Sequence, residues 1–512
     1  MYNLRMEAAG SHQEIERKYD VERDVAVPAL HEVDGIGGVA QPEEVLLEAS
    51  YFDTDDVALR AAGVTLRRRT GGGDAGWHLK LPVSADEREE LRFPLADEVP
   101  AALLDRVRVH VRDRAVSPVA RIRTRRVVHR LLSPTGELLA ELCDDLVTGE
   151  SLDSEPPADP QRWREWEVEL HAGGRELLDA LEPVLLASGA RPALATSKLA
   201  RVLGDRRAPP QRRRVTKRSS TAEALAAYLD EHLSELKQQD MLLRAEDDAA
   251  VHKLRIAARQ LRSALASYEP VLQPGSTDDL RTELRWLGGV LAEARDAQVL
   301  ARWLDEVVAG QPAELVLGPV TRRIDGELGE RYQSGRAEAA VALDDDRYFR
   351  LLDRLDAFLA APPLTARASD SARSRLPRLL QRDWKRVQKR ARLASTATET
   401  RQRELALHEV RKAAKRLRYA SETALPVLGK RADKLAGRAK AVQQVLGEHQ
   451  DTVVARAALR EIGVRAHLSG ENGFTFGRLH ALEESRAQRL VQQYPGLMAR
   501  FPKKKLSRWL RG

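Results

Sequence analysis

A single cysteine, Cys143, stands in a chain of 512 residues. One cysteine excludes an intramolecular disulfide and any cysteine-held metal cluster. Aromatic residues are also scarce, at 4%, which leaves little stacking surface for single-stranded nucleic acid. No apolar run approaches the roughly 18 residues of a membrane-spanning helix. The N-terminal stretch carries Glu7 and lacks the apolar centre of a secretory signal. The expectation is a soluble protein of two or three domains in the cytoplasm, with no membrane partner.

Charge is plentiful, at 31% of residues, and it is unevenly spread. Residues 1–205 hold 26 Lys and Arg against 38 Asp and Glu, a balance of −12, and the remainder holds 58 against 39, a balance of +19. An acidic half joined to a basic half points to a polyanion as the partner of the second half.

The acidic half reads as a series of strands with charged faces. In Gln13 to Tyr19, period two puts Glu14, Glu16 and Lys18 on one face and Ile15, Arg17 and Tyr19 on the other. One such strand is what a solvated sheet edge presents. Here the pattern repeats. After a helix-compatible stretch comes the β-prone Leu46 to Thr54. Gly63 to Arg69 then puts Arg67 and Arg69 on one face, opposite Leu66 and Arg68. A glycine-rich turn leads into Trp77 to Leu81, where His78 and Lys80 alternate with apolar residues, as in a hairpin. Arg88, Glu90 and Arg92 alternate with Leu91 and Phe93. Past a helical segment at Ala101 to Val109, Val119 to Leu132 carries Arg121, Arg123, Arg125, Arg126 and Arg130. Glu141, Cys143 and Asp145 share a face of the next strand, and Glu165, Glu167 and Glu169 share a face of the one after it. A helix over Arg175 to Leu186 closes the region. About seven strands with charged faces of both signs favour a closed β structure with a charged interior. Such an interior suits a metal–polyphosphate complex, with acids for the cation and bases for the phosphates.

Taken in order, Glu14-Ile15-Glu16-Arg17-Lys18, Tyr51-Phe52-Asp53-Thr54, Leu66-Arg67-Arg68-Arg69, Trp77-His78-Leu79-Lys80 and Glu165-Trp166-Glu167-Val168-Glu169 resemble the CYTH family. This is the triphosphate tunnel metalloenzyme superfamily of thiamine triphosphatases, inorganic triphosphatases and one class of adenylate cyclases. The resemblance covers residues 12 to 205, and it implies an eight-stranded antiparallel tunnel that binds a triphosphate with Mg2+ or Mn2+. It further implies Glu14, Glu16, Glu165, Glu167, Glu169 and Asp145 as metal ligands, with Asp144 as the alternative to Asp145. Arg67, Arg69, Lys80, Arg88, Arg126 and Lys198 (in Thr196-Ser197-Lys198) would hold the phosphates. Lys18 would be catalytic, positioning or deprotonating water if neighbouring cations lower its pKa. Arg92 departs from the family's acidic alternation, while Glu90 keeps the neighbouring inward position.

Residues 206–220 have linker composition, with Pro209-Pro210 and Arg212-Arg213-Arg214. Beyond them the pattern turns to period 3.6, with breaks at Pro270 to Thr277, Pro362-Pro363 and Leu425-Pro426, which predicts an all-α domain over 221–505. It contains a repeat: His252, Arg255, Ala258, Arg259, Leu261 and Arg262 match His408, Arg411, Ala414, Lys415, Leu417 and Arg418 at identical offsets. Offsets of 0, 3, 7 and 10 place His252, Arg255, Arg259 and Arg262 on one helix face, without acidic partners one turn on. A single basic stripe is usually a solvated face; two recurring copies would line a cleft. Reading the histidines as metal ligands instead would need a His or carboxylate at i+4, which neither His252 nor His408 has on its basic face.

The blocks Val251-His252-Lys253-Leu254-Arg255, Arg295-Asp296, His408-Glu409-Val410-Arg411-Lys412 and Gly447-Glu448-His449-Gln450-Asp451 resemble the CHAD family, an all-α domain named for its conserved histidines. That resemblance implies two four-helix repeats around a basic groove for inorganic polyphosphate. The implied binding set is His252, Lys253, Arg255, Arg259, Arg262, His408, Arg411, Lys412, Lys415, Arg418 and His449, with Ala294 where the second repeat has His449. The tail Lys503-Lys504-Lys505 either extends the groove or only aids solubility. The expected whole is an α+β multidomain, metal-dependent triphosphatase with a polyphosphate-binding module, located at polyphosphate granules and with nucleic acid disfavoured as a partner. The alternatives are a granule scaffold without catalysis and an adenylate cyclase.

Overall fold

A computed structural model describes residues 10–84, 86–152, 159–204, 214–501 and 508–511 of the chain. It divides into two compact units between Gln211 and Arg212. The centre of the acidic loop (153–158), the first part of the linker (206–213) and the lysines of the tail lie outside the described residues.

The first unit contains strands β1 (Gly10–Val21), β2 (Gly38–Val39), β3 (Glu43–Asp53), β4 (Thr65–Thr70), β5 (Gly76–Pro82), β6 (Glu87–Phe93), β7 (Ser117–Leu132), β8 (Leu138–Ser151), β9 (Gln161–Leu170) and β10 (Arg191–Pro192). Eight of them form a closed antiparallel barrel in the order β1, β6, β5, β4, β3, β7, β8, β9, because β1 pairs with both β6 and β9. The two-residue strands β2 and β10 pair with β7 and β1. Residues between β1 and β3 do not form the helix their composition permits. They make only a single 3-10 turn at Leu30–Glu32 and β2. Pro28 and Gly35, the latter at φ +89°, interrupt any helical run, while Leu30, Val33 and Ile36 are buried against the barrel's outer face.

Register decides what faces inward. Glu16 pairs with Glu169, Lys18 with Glu167, Arg126 with Asp145, Asp145 with Glu165, and Arg67 with both Tyr51 and His78. Directly paired residues share a sheet face, so these side chains line one interior. The opposite faces of β1, β8 and β9 carry an apolar cluster. Tyr19, Trp166, Val168 and Leu170 pack outward against Leu177, Leu178, Leu181 and Leu185 of the helix Arg175–Ala187. This barrel therefore packs a hydrophobic core against its outer side and holds a set of buried charges within. Trp166 is fully buried there, so Trp166→Ala is expected to cost this unit about 3–5 kcal/mol. Denaturant unfolding followed by tryptophan fluorescence would measure the loss. The inward faces turn apolar at one end, where Ala49, Ile122, Val147 and Trp163 meet Leu199, Val202 and Leu203 of the helix Lys198–Leu203. That cluster plugs the lumen.

The second unit is helical. Its described residues include ten helices of 13 residues or more: Thr221–Arg244, Asp248–Ser267, Asp278–Val290, Ala292–Ala309, Val320–Leu343, Asp346–Ala360, Ala372–Thr396, Thr400–Thr423, Lys430–Leu468 and Phe474–Arg500. A capping box between Ser220 and Glu223 starts the first. The helices Asp248–Ser267 and Thr400–Thr423 pack on one another. They bury Leu254, Ala258 and Leu261 on one side and Val410, Ala414 and Leu417 on the other. No helix among the described residues is long and apolar enough to cross a membrane.

Candidate functional site

The barrel interior holds acids and bases in contact. Lys198, the first residue of its helix, sits beside the capping residue Ser197, whose hydroxyl accepts from the Ala200 N–H. Its Nζ lies 2.9 Å from Asp145, 2.7 Å from Glu165 and 2.7 Å from Glu167. Arg126 donates to both oxygens of Asp145, at 2.7 and 2.6 Å, and to Glu167 at 2.6 Å. Lys18 donates to Glu16 at 2.9 Å and also to Glu167. Asp145, Glu165 and Glu167 are all buried, and each offers an oxygen within 4.8 Å of the others. Three hard carboxylate oxygens at that spacing suit a divalent cation. Lysine and arginine hold these carboxylates together. Burial opposes the charge on Glu167, yet Lys18, Lys198 and Arg126 keep its pKa well below the usual carboxylate range. Asp145 is lowered by Arg126 and Lys198 in the same way, against the cost of burial.

A second acidic group lies along β1 and β9. Burial, then the charges of Glu14 and Glu16, push Glu169 up to about 7. Lys80 bridges from here to the basic side, with Glu14 at 2.6 Å and Glu90 at 3.8 Å. Glu90 is the anchor of that side. It accepts from His78 Nδ1 at 3.0 Å, from Arg92 at 2.6 Å and lies 3.5 Å from Arg67. The other ring nitrogen of His78 meets the Asp74 carbonyl at 2.8 Å. Burial lowers the pKa of His78 to about 4, while the two acceptors that its ring nitrogens face, the Glu90 carboxylate and the Asp74 carbonyl, favour the doubly protonated ring. Burial, Arg67 and Arg126 also push Arg69 down to about 9, the mark of a site crowded with positive charge.

The helical unit carries a cavity of 1140 Å³ between its two central helices and their neighbours. Eleven arginines and two lysines line it against three carboxylates, a surplus that only anions from outside can balance. The buried Nε atoms of Arg259 and Arg411 find no hydrogen-bond acceptor. Burial first, then Arg259, Arg411, Arg255 and Arg418, push Lys415 down to about 6. His252 is lowered to about 4 by burial and then by Arg295, Arg259, Arg255 and Lys415.

Residues 12–199 match the CYTH domain family, and residues 227–460 match the CHAD domain family. The chain is a CYTH–CHAD protein. It is 39% identical to uncharacterised proteins of two Mycobacterium tuberculosis strains, CDC 1551 / Oshkosh and H37Rv, over 96% of this chain and 97% of each relative. Among solved structures, the CHAD domain from the plant Ricinus communis is 28% identical, with a TM-score of 0.46 over 56% of this chain and 95% of that one. PptA from Streptomyces chartreusis is 21% identical, with a TM-score of 0.45 over 55% of this chain and 100% of that one.

In this CYTH–CHAD protein the eight expected barrel strands close as the sequence implies. Asp145 faces the lumen, whereas Asp144 faces outward and pairs with Arg164 at 2.8 Å. Of the arginines on β7, Arg126 points inward, while Arg121, Arg123 and Arg125 pair with Glu48, Glu48 and Glu44 outside. Arg88 sits near the acidic group, 3.9 Å from Glu16. Lys18 differs from expectation. Burial disfavours its ammonium, but Glu16 and Glu167 outweigh burial and raise its pKa, so it stands as a cation rather than a base. Nine of the eleven groove residues expected from the sequence line the CHAD cavity. Lys253 and His449 do not. Lys253 follows His252 by one residue, some 100° round the helix, and is exposed. His449 is buried outside the cavity, near Glu404 and Arg456. The expected binding set left out Arg281, Arg285, Arg386 and Arg390, which join the lining from neighbouring helices, Arg295 of the matched Arg295-Asp296 block, and Arg416 on the central helix Thr400–Thr423 itself. For Arg281, Arg285, Arg386 and Arg390 the sequence signal was the basic surplus of the second half.

Proposed function

We propose that the CYTH tunnel hydrolyses inorganic triphosphate or a related triphosphate with Mg2+ or Mn2+, and that the CHAD domain binds inorganic polyphosphate at granules. The buried set Asp145, Glu165 and Glu167, in one barrel with Lys18, Arg67, Arg69, Lys80, Arg88, Arg126 and Lys198, carries this reading. A bound divalent cation would act as a Lewis acid on phosphoryl oxygen. Asp145, Glu165 and Glu167 would hold a cation, and Glu14, Glu16 and Glu169 would add further carboxylates to the metal site. Arg67, Arg69, Lys80, Arg88, Arg126 and Lys198 would then turn from carboxylates to phosphate oxygens, where fixed positive charge favours the charge that develops as the bond breaks. Lys18 orients the substrate as an ammonium between Glu16 and Glu167. The apolar plug at one end would exclude water there and hold the chain of phosphates in a single direction. Phosphate release from inorganic triphosphate, long-chain polyphosphate, ATP and thiamine triphosphate tests the assignment. Cyclic AMP from ATP, without orthophosphate from triphosphate, would instead make it a cyclase.

In the helical domain, the order of elements supports two four-helix repeats. Thr221–Arg244 and Asp248–Ser267 would match Ala372–Thr396 and Thr400–Thr423. The pair Asp278–Val290 and Ala292–Ala309 takes the place of the long Lys430–Leu468, with Val320–Leu343 opposite Phe474–Arg500. The groove's pH dependence follows from Lys415. The free amine is neutral above about 6, and a bound polyanion raises its pKa, so binding takes up a proton between the two values. Affinity for polyphosphate is therefore expected to rise as pH falls from about 8 to 6, by at most about tenfold per pH unit from this group. Lys415→Arg, which stays charged throughout, should flatten that slope in calorimetric titrations.

A further inference from the structure

Lys415 differs from the other lysines of its groove in its surroundings. Arg411 and Arg418 flank it on its own helix, at i−4 and i+3. Arg255 and Arg259 face it from the helix Asp248–Ser267, with His252 beyond them. The nearest helices add Arg295 and Asp296 on one side and Gln443, Gln450 and Asp451 on the other. Asp296 is engaged by Arg255 at 2.6 Å. Among the described residues, no carboxylate pairs with Lys415. By contrast, Lys412 lines the same cavity but is exposed and donates to Glu409 at 2.9 Å. In the first copy of the repeat the matching position is Arg259, whose guanidinium remains charged and is a poor nucleophile.

We propose that Lys415 is a site of acylation by acyl phosphates, small electrophiles whose phosphate group the groove admits and whose carbonyl carbon lies open to the lysine nitrogen. The proposal rests on the reading of the groove as a phosphate-binding surface. Lys415 is half-buried, so a small reagent reaches it from the cavity. The Nζ lone pair forms a C–N bond with the acyl carbon, and the C–O bond to phosphate breaks. The phosphate leaves with that electron pair, and the proton released from nitrogen passes to water. No oxidant or reductant is needed. The surrounding guanidiniums favour both the arriving anion and the departing one. Before an anion settles in the groove, burial and the four arginines keep the amine largely unprotonated near pH 7. Its free-amine fraction exceeds that of an ordinary lysine by about three orders of magnitude, and its lower basicity gives back about two, on the trade-off known for thiols. A net gain of roughly tenfold in rate remains. An acylated Lys415 no longer takes up a proton when polyanion binds, so acylation would weaken the groove by several-fold.

The test uses the full-length protein and acetyl phosphate at pH 7, with acetylation followed peptide by peptide in a mass spectrometer. Lys415 is expected to be modified roughly tenfold faster than Lys412 and Lys253. Long-chain polyphosphate at saturation should suppress labelling of Lys415 and leave Lys253 unchanged. Polyphosphate affinity is titrated on the same preparation. Absence of polyphosphate binding would overturn the groove reading and the proposal with it. Binding without faster labelling at Lys415, or without protection there, would overturn the acylation proposal alone.

Discussion

Glu167→Gln should reduce metal-dependent triphosphate turnover by about two to three orders of magnitude, the loss seen when one fixed electrostatic partner of a reacting centre is removed. Glu167 meets Lys18, Arg126 and Lys198 together, and it offers an oxygen to the set with Asp145 and Glu165. The amide keeps the shape and one acceptor oxygen but removes the charge on which both metal binding and the three cations depend. It also leaves those buried cations less compensated, so some stability is lost. A thermal melt and polyphosphate titration of the same variant separate loss of chemistry from loss of fold. Polyphosphate binding should persist, because the groove residues belong to the other unit. Turnover within a few-fold of the parent would show that Glu167 is not part of the metal site. Glu16→Gln should act in the same direction, since Glu16 pairs with Lys18 at 2.9 Å and lies across from Glu169.

The second large effect lies in the groove. Replacing Arg255, Arg259, Arg411 and Lys415 together with alanine is expected to weaken polyphosphate binding about a hundredfold or more at moderate salt. The slope of log affinity against log salt should shrink by about three, on the counterion release known for nucleic acids. Replacing Lys503, Lys504 and Lys505 should matter much less, because the groove's charges converge on one cavity from packed helices. Titrations of both variants at two salt concentrations decide the matter. Equal losses, or tighter binding to duplex DNA than to polyphosphate, would contradict a polyphosphate groove.

Much of the tunnel could be read from the chain because charge inside a barrel violates the usual pattern. Glu14, Glu16 and Lys18 are legible because strand alternation carries unchanged from sequence to sheet. The inward arginines Arg67 and Arg69 follow from the same alternation. Closure of β1 onto β9 is less legible, since it depends on pairing residues some 150 positions apart. The pairing of β8 with β7 and β9 decides between Asp144 and Asp145, because Arg126 and Glu165 sit opposite Asp145 in register. The plug formed with Leu199, Val202 and Leu203 reads in sequence as a short apolar helix with nothing to say where it docks. The lowered pKa on which a base role for Lys18 depends is absent for a related reason. Basic residues lie nearby in sequence, but the side chains that touch it are Glu16 and Glu167.

In the helical domain the repeat showed two basic helix faces and nothing of what surrounds them. Arg281, Arg285, Arg386 and Arg390 reach the cavity through helix packing, which leaves no periodic trace in the chain. Lys253 and His449 were included because they adjoin matching residues, and one step along a helix turned both away from the groove.

The most direct test of the account is orthophosphate release from inorganic triphosphate by the purified protein, stripped of metal with a chelator and then resupplied with Mg2+ or Mn2+. The account predicts no release from the stripped protein, restoration by at least one of the two ions, and no restoration in Glu167→Gln. Equal release before and after stripping, or none with either ion while polyphosphate still binds, would contradict a metal-dependent triphosphatase.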